Sequence, residues 1–95
     1  MSDDGDDVGI DLPADVEATL TQLLAEAAAA ARRREGEAVS AIVDTVETVV
    51  RNKVPAGLLS ERLEHGCASV ERLVVDEPLV AAEYLDAMER LVRSA

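Results

Sequence analysis

The sequence predicts an all-α fold, and the spacing of its apolar residues is the main reason. From residue 12 onward, Val, Leu and Ala recur at intervals of three and four, which is the period of one helix face. Glycine, proline and acidic residues break this pattern into four segments. We therefore predict an antiparallel bundle of four helices arranged as two helical hairpins; the alternative is three helices with a long bent first helix.

The first predicted helix begins at a proline and is rich in alanine. Pro13 suits the first turn of a helix, and Asp15 follows near the positive end of the helix dipole. Gly36 stands where a helix stop is expected. The residues of the apolar face are Val16, Leu20, Leu23, Leu24, Ala27 and Ala31.

The second predicted helix spans residues 37–53 and carries a stripe rich in valine. β-branched residues lower helix propensity, but spacings of three and four favour a helix. The stripe is wide enough to cover one neighbouring helix and to offer an edge to another. Its members are Val39, Ile42, Val43, Val46, Val49 and Val50.

Prolines also mark the start of the third and fourth predicted helices. Pro55 opens the third helix, and the break at Asp76-Glu77 ends it before Pro78 starts the fourth. The third stripe consists of Leu59, Leu63, Gly66, Val70 and Leu73, with Cys67 and Val74 beside it. The fourth consists of Ala81, Tyr84, Leu85, Met88, Leu91 and Val92.

The domain organisation is expected to be simple. Residues 1–11 are predicted to be an acidic mobile tail, and residues 12–95 a single helical domain. A shift of 42 positions aligns similar segments without a gap and places the breaks together. Residues 12–53 and 54–95 are therefore candidates for duplicated hairpins, although the biased composition leaves chance as an alternative.

Charge is the strongest compositional signal. Twenty acidic residues face nine basic ones, the formal net charge is −11, and Lys53 is the only lysine. In molar salt the screening length falls to about 3 Å, so self-repulsion at high charge costs little. The composition indicates a salt-in halophilic host, an archaeon; the alternative is an acidic mesophilic protein with a GC-biased genome.

The thin core favours association with other chains. Tyr84 is the only aromatic residue, and aromatic side chains bury the largest areas. Glycine within a helix costs about 1 kcal/mol relative to alanine, so Gly66 marks a close helix contact, internal or between subunits. We expect a non-catalytic interaction module that is a homo-oligomer or binds a protein partner. The candidate interface residues are Val39, Val43, Val50 and Gly66.

Little in the sequence indicates catalysis or a metal. His65 and Cys67 stand two positions apart, so on a helix they point to different faces. Zinc would require four ligands. We therefore expect a core cysteine, an exposed histidine paired with Glu61, and no metal, cofactor or catalytic residue.

One basic cluster, Arg32, Arg33 and Arg34, ends the first predicted helix. Interaction with the helix dipole explains it simply, while anion contact is the alternative. An acidic chain lacks the basic face that nucleic acids attract, so nucleic acid binding is not expected. A regulatory or nucleic-acid-associated module using this cluster is the alternative function.

The location is expected to be cytoplasmic. No basic-then-apolar segment opens the chain, and a single cysteine suits a reducing compartment. No run approaches the roughly 18 apolar residues of a membrane span, so no membrane association is expected.

Three short motifs lie in the second half of the chain, namely Val54-Pro55, Asp76-Glu77, and Ala81 to Tyr84 with Asp86-Ala87. In this order they resemble a small archaeal all-helical family, domain of unknown function 357. The resemblance covers roughly residues 37–93. It implies a helical fold and an archaeal origin, and it brings no assigned activity or site.

Overall fold

Over residues 12–95 the protein is an all-α bundle of four helices. A computed structural model describes residues 12–95. These residues form α1 (Ala14–Arg32), α2 (Gly36–Lys53), α3 (Leu58–Leu73) and α4 (Pro78–Ser94). The predicted fold class is confirmed, and the chain turns at residues 33–35 instead of continuing as one long bent helix. The predicted acidic tail, residues 1–11, lies outside the described residues.

Each helix packs against two others: its neighbours in the chain, with α4 also packing against α1. α1 contacts α2 and α4, and α3 contacts the same two helices. Short connections make consecutive helices antiparallel. The core along the bundle axis is built from Val, Leu and Ala, as predicted. Its largest fully buried apolar side chains are Leu20, Leu24, Leu63 and Leu85.

The turn between α1 and α2 differs from the prediction. Arg34, not Gly36, adopts the left-handed conformation, with φ 62°. The Glu35 N–H donates to the Ala30 carbonyl, and the Arg34 N–H to the Ala31 carbonyl, each at 3.0 Å. These two hydrogen bonds end α1 although no glycine occupies the left-handed position. The left-handed conformation of Arg34 costs about 1 kcal/mol. Gly36 is instead the first residue of α2.

The third helix begins later than predicted. Pro55 lies in the connection, and α3 starts at Leu58, directly after Gly57. Gly57 adopts φ 156°, a conformation that only glycine takes readily. The Ser60 hydroxyl accepts from the Gly57 N–H and donates to the Gly57 carbonyl, both at 3.0 Å. Pro78 is the first residue of α4, as the proline rule predicts.

The four candidate interface residues are core positions of a single chain. Val39 and Val43 are fully buried, and Val50 is 1% exposed. Gly66 faces α4, where an added Cβ would lie 2.6 Å from the Met88 Sδ. The three valines are thus covered by helices of their own chain. A helical stripe looks the same in sequence whether it covers a neighbouring helix or another subunit, and an interface at the four positions stays a prediction.

The two hairpins are built alike, with one difference of register. Val43 of α2 and Leu85 of α4 are buried equivalents 42 positions apart, as the predicted alignment requires. In the first helices the buried equivalents, such as Leu20 and Leu63, lie 43 positions apart. The ungapped alignment therefore matches only the second helix of each hairpin, and the duplication stays a prediction.

Candidate functional site

Large apolar side chains are exposed at three places on the bundle. Among the described residues they lie at the start of α3, in the α3–α4 turn and on α4. Their exposed fractions are 62% for Leu58, 81% for Val75, 53% for Leu79, and 41% for both Val80 and Tyr84. Single exposed apolar residues are ordinary, but a contiguous set indicates a contact surface.

A second apolar stripe runs along α4 beside the stripe that faces the core. We call it the outer strip; its members are Val80, Tyr84, Ala87 and Leu91. They are spaced by four, three and four residues, the period of helices that pair along a seam. Ala87 is exposed and Leu91 is half-buried. The strip therefore presents an apolar ridge to the outside of the bundle.

Three members of the outer strip, Tyr84, Ala87 and Leu91, form one wall of a groove of about 340 Å³ between α3 and α4. The opposite wall belongs to α3 and consists of Leu58, Glu61, Arg62 and His65, while Gly66 and Met88 lie between the walls. Because Gly66 has no side chain, Met88 packs directly over the α3 backbone at this point. The groove is therefore apolar along α4 and carries polar side chains of both charges, Glu61 and Arg62, on α3.

Two opposite charges accompany the outer strip on its side away from α3. Glu83 and Arg90 are both exposed and stand seven residues apart, two turns of the helix. Within the same helix, Arg93 binds Glu89 at 2.7 Å, on a different face. The edge of the strip thus carries one acid near its start and one base near its end.

The arginine cluster is partly engaged within the chain. Arg32 binds Asp86 of α4, and this hydrogen bond, together with the Asp86 charge, raises the pKa of the Arg32 guanidinium. Arg33 lies 3.1 Å from Glu35. Two of the three guanidinium groups therefore contact carboxylates, which reduces the positive charge that the cluster presents to an anion.

A second groove of about 570 Å³ lies between the two hairpin turns at the opposite end of α3 from Leu58. Arg34 and Glu37 bring opposite charges to its rim, and Val74, Val75 and Pro78 line it. No polar side chain in its lining is buried. Its geometry therefore does not define a polar ligand site.

The reactive side chains are placed as the sequence predicts for Cys67 and His65. Cys67 is fully buried, and burial, with a smaller effect of the Glu47, Glu71 and Glu64 charges, raises its pKa to about 12. A thiol acts as a nucleophile or a metal ligand only in its thiolate form, so the protonated Cys67 thiol is unreactive. His65 is exposed in the α3–α4 groove, and its expected ion pair with Glu61 does not form.

Residues 12–95 contain neither a cluster of metal-ligating side chains nor a helix that could span a membrane. In this part of the chain, no three His, Cys, Asp or Glu side chains come together in a way that would hold a metal ion. None of its helices combines the length and apolar character that crossing a membrane requires.

The fold and this surface define a small antiparallel four-helix domain with an exposed apolar strip. The chain belongs to the family described as Domain of unknown function (DUF8101), whose model matches residues 5–94. No link to domain of unknown function 357 is shown, so the resemblance drawn from short motifs is replaced by this family. No curated protein and no solved structure matches the chain.

The sequence contained the signal for the outer strip, but the prediction assigned part of it to the core. Tyr84 is 41% exposed and Leu91 is half-buried, so both lie at the edge of the core instead of within it. Two apolar stripes lie side by side on α4, each with four-three-four spacing. The prediction treated the two stripes as a single core-facing stripe. Their separate four-three-four spacings are the signal in the sequence that indicates the outer strip.

Proposed function

We propose that the protein is a non-catalytic, self-associating helical module that works in a salt-rich cytoplasm. The observation that supports this proposal is the outer strip on α4, where Val80 and Tyr84 are each 41% exposed and Leu91 is half-buried. The interaction surface in this proposal is the outer strip together with the α3–α4 groove. This surface replaces the α2 valines, which are occupied by the core.

The free energy available at this surface is substantial for a small domain. Tyr84 is 41% exposed, which is roughly 90 Å² of a large aromatic residue. At about 25 cal/mol per Å², covering it contributes about 2 kcal/mol. Val80 and Leu91 add to this on the same strip. Association would therefore stabilise a domain whose core lacks Phe and Trp.

The acidic composition supports the salt-rich setting in the proposal. A chain of net charge −11 resists association with a copy of itself in dilute buffer. In molar salt the screening length of about 3 Å removes most of that repulsion. The apolar strip then acts with little electrostatic opposition.

A charged substitution on the strip tests the proposal. Tyr84→Glu places a carboxylate in the middle of the outer strip, and we expect it to give a monomer in about 2 M KCl while the wild type is an oligomer. Static light scattering after size-exclusion chromatography measures the mass, and far-UV circular dichroism confirms that the helices are retained.

Val75→Glu is the matched control. Among residues 12–95, Val75 is the most exposed large apolar residue, at 81%, and it lies in the α3–α4 turn outside the outer strip. We expect this variant to keep the wild-type mass. A monomeric wild type, or equal masses for the wild type and Tyr84→Glu, would contradict the proposal.

A further inference from the structure

We propose that the outer strip binds a second copy of this chain, with the two α4 helices antiparallel about a two-fold axis between Tyr84 and Ala87. This inference rests on the self-association proposed above and specifies its partner and geometry. A two-fold interface uses the same patch on both chains, so the patch must be complementary to itself when reversed.

The apolar residues of the strip meet this requirement. Spacings of four, three and four read the same in both directions. In the antiparallel arrangement Tyr84 faces the partner's Ala87, and Val80 faces the partner's Leu91. Each large side chain thus meets a smaller one, and a parallel pair would instead oppose two tyrosines and two alanines. Alternation of large and small residues is what close packing between helices requires.

The charges beside the strip favour the same arrangement. Residues on one flank of two antiparallel helices face each other, so Glu83 approaches the partner's Arg90, and Arg90 the partner's Glu83. Two pairs of opposite charge result. In a parallel pair this flank would face Ala81 and Met88, which carry no charge. Glu83 also lies near Arg32 of its own chain, and both side chains remain exposed.

The size of the surface sets the expected affinity. α4 has 17 residues and is therefore about 25 Å long, and with α3 beside it the face is about 20 Å wide. A footprint of roughly 500 Å² per chain lies at the lower end of specific interfaces. We accordingly expect a dissociation constant in the micromolar range rather than an obligate dimer.

Charge reversal at the flank tests the geometry. Glu83→Arg and Arg90→Glu each convert two attractive pairs into two repulsive ones in the homodimer. We expect each variant alone to raise the dissociation constant about tenfold in about 0.5 M KCl, measured by sedimentation equilibrium. Mixed in equal amounts, the two variants form a heterodimer in which both attractive pairs return, with wild-type affinity.

Net charge alone predicts a different outcome, which makes the experiment decisive. Glu83→Arg lowers the negative charge of the chain, so general repulsion would tighten its homodimer, whereas the proposed pairing weakens it. The double variant Glu83→Arg with Arg90→Glu keeps the wild-type net charge. We expect it to restore the homodimer by exchanging the partners of each pair.

Two results would overturn the inference, and they differ from each other. A wild-type dimer whose affinity is unchanged by both single reversals leaves self-association intact but rejects the antiparallel α4 geometry. A wild-type monomer at millimolar concentration in about 2 M KCl rejects the proposed function itself. Because Glu83 and Arg90 are exposed, far-UV circular dichroism is expected to report unchanged helicity in every variant.

Discussion

Val43 lies at the centre of the α2 stripe, where the sequence alone leaves open whether the stripe covers a neighbouring helix or a second chain. The side chain is fully buried within one chain. Its neighbours along the stripe, Val39, Val46 and Val50, are equally enclosed. The residue therefore contributes to the stability of the monomer, and its substitution reports on folding instead of assembly.

Val43→Asp is expected to unfold the protein. A carboxylate without a partner in the core costs several kcal/mol, a large part of the stability of a small domain. Far-UV circular dichroism in about 2 M KCl measures the loss of helicity. Ala41→Asp, at an exposed position of the same helix, is the control and is expected to stay folded. Retained helicity in Val43→Asp would show that the side chain is not in the core.

One residue-scale error of prediction falls at the end of α1. The sequence contains Gly36 close to the end of α1, yet Arg34 adopts the left-handed conformation. The backbone hydrogen bonds of Glu35 and Arg34 place the left-handed residue two positions before the glycine. Tertiary packing of both helices sets that position, and local residue preference does not encode it.

At the scale of elements, the closest approach of α3 and α4 depends on Gly66. An added Cβ would lie 2.6 Å from the Met88 Sδ and 2.9 Å from its Cγ. The second of these atoms is close to the α4 backbone, so the Met88 side chain must change rotamer to make room. Helix propensity and packing therefore act in opposite directions at this position.

The two effects can be separated by a double-mutant cycle. Gly66→Ala is expected to lower the free energy of unfolding by about 1 kcal/mol in the wild type, because displacing Met88 outweighs the gain in helix propensity. In a Met88→Ala background the clash is absent. Gly66→Ala is then expected to raise the free energy of unfolding by about 1 kcal/mol. Urea denaturation at constant KCl concentration measures both changes. A change of the same sign in both backgrounds would contradict this account of the contact.

The elements themselves were largely predictable. Four apolar stripes with a three-four spacing gave the four helices, and Pro78 marked the start of α4 correctly. The start of α3 was not predictable from Pro55, because the conformation of Gly57 and its bonds to Ser60 set it. The outer strip was missed because exposure depends on how α3 lies beside α4, which periodicity along one helix does not encode.

At the scale of the whole molecule, net charge and the apolar strip oppose each other. Two chains of charge −11 at about 25 Å separation repel by roughly 9 kcal/mol at 0.01 M salt. Screening lowers this to about 1 kcal/mol at 0.15 M and to a negligible value at 1 M. Exposed ion pairs across the interface contribute at most about 1 kcal/mol in total. Repulsion thus dominates in dilute buffer, and association is expected to tighten as salt rises.

Sedimentation equilibrium of the wild-type chain between about 0.05 M and 2 M KCl tests this account most directly. We expect the monomer mass of 10.1 kDa at low salt and about 20 kDa at high salt. Tyr84→Glu is expected to remain at the monomer mass throughout. A folded wild-type chain that stays at 10.1 kDa in 2 M KCl would contradict the claim that the outer strip is an interface between copies of this protein.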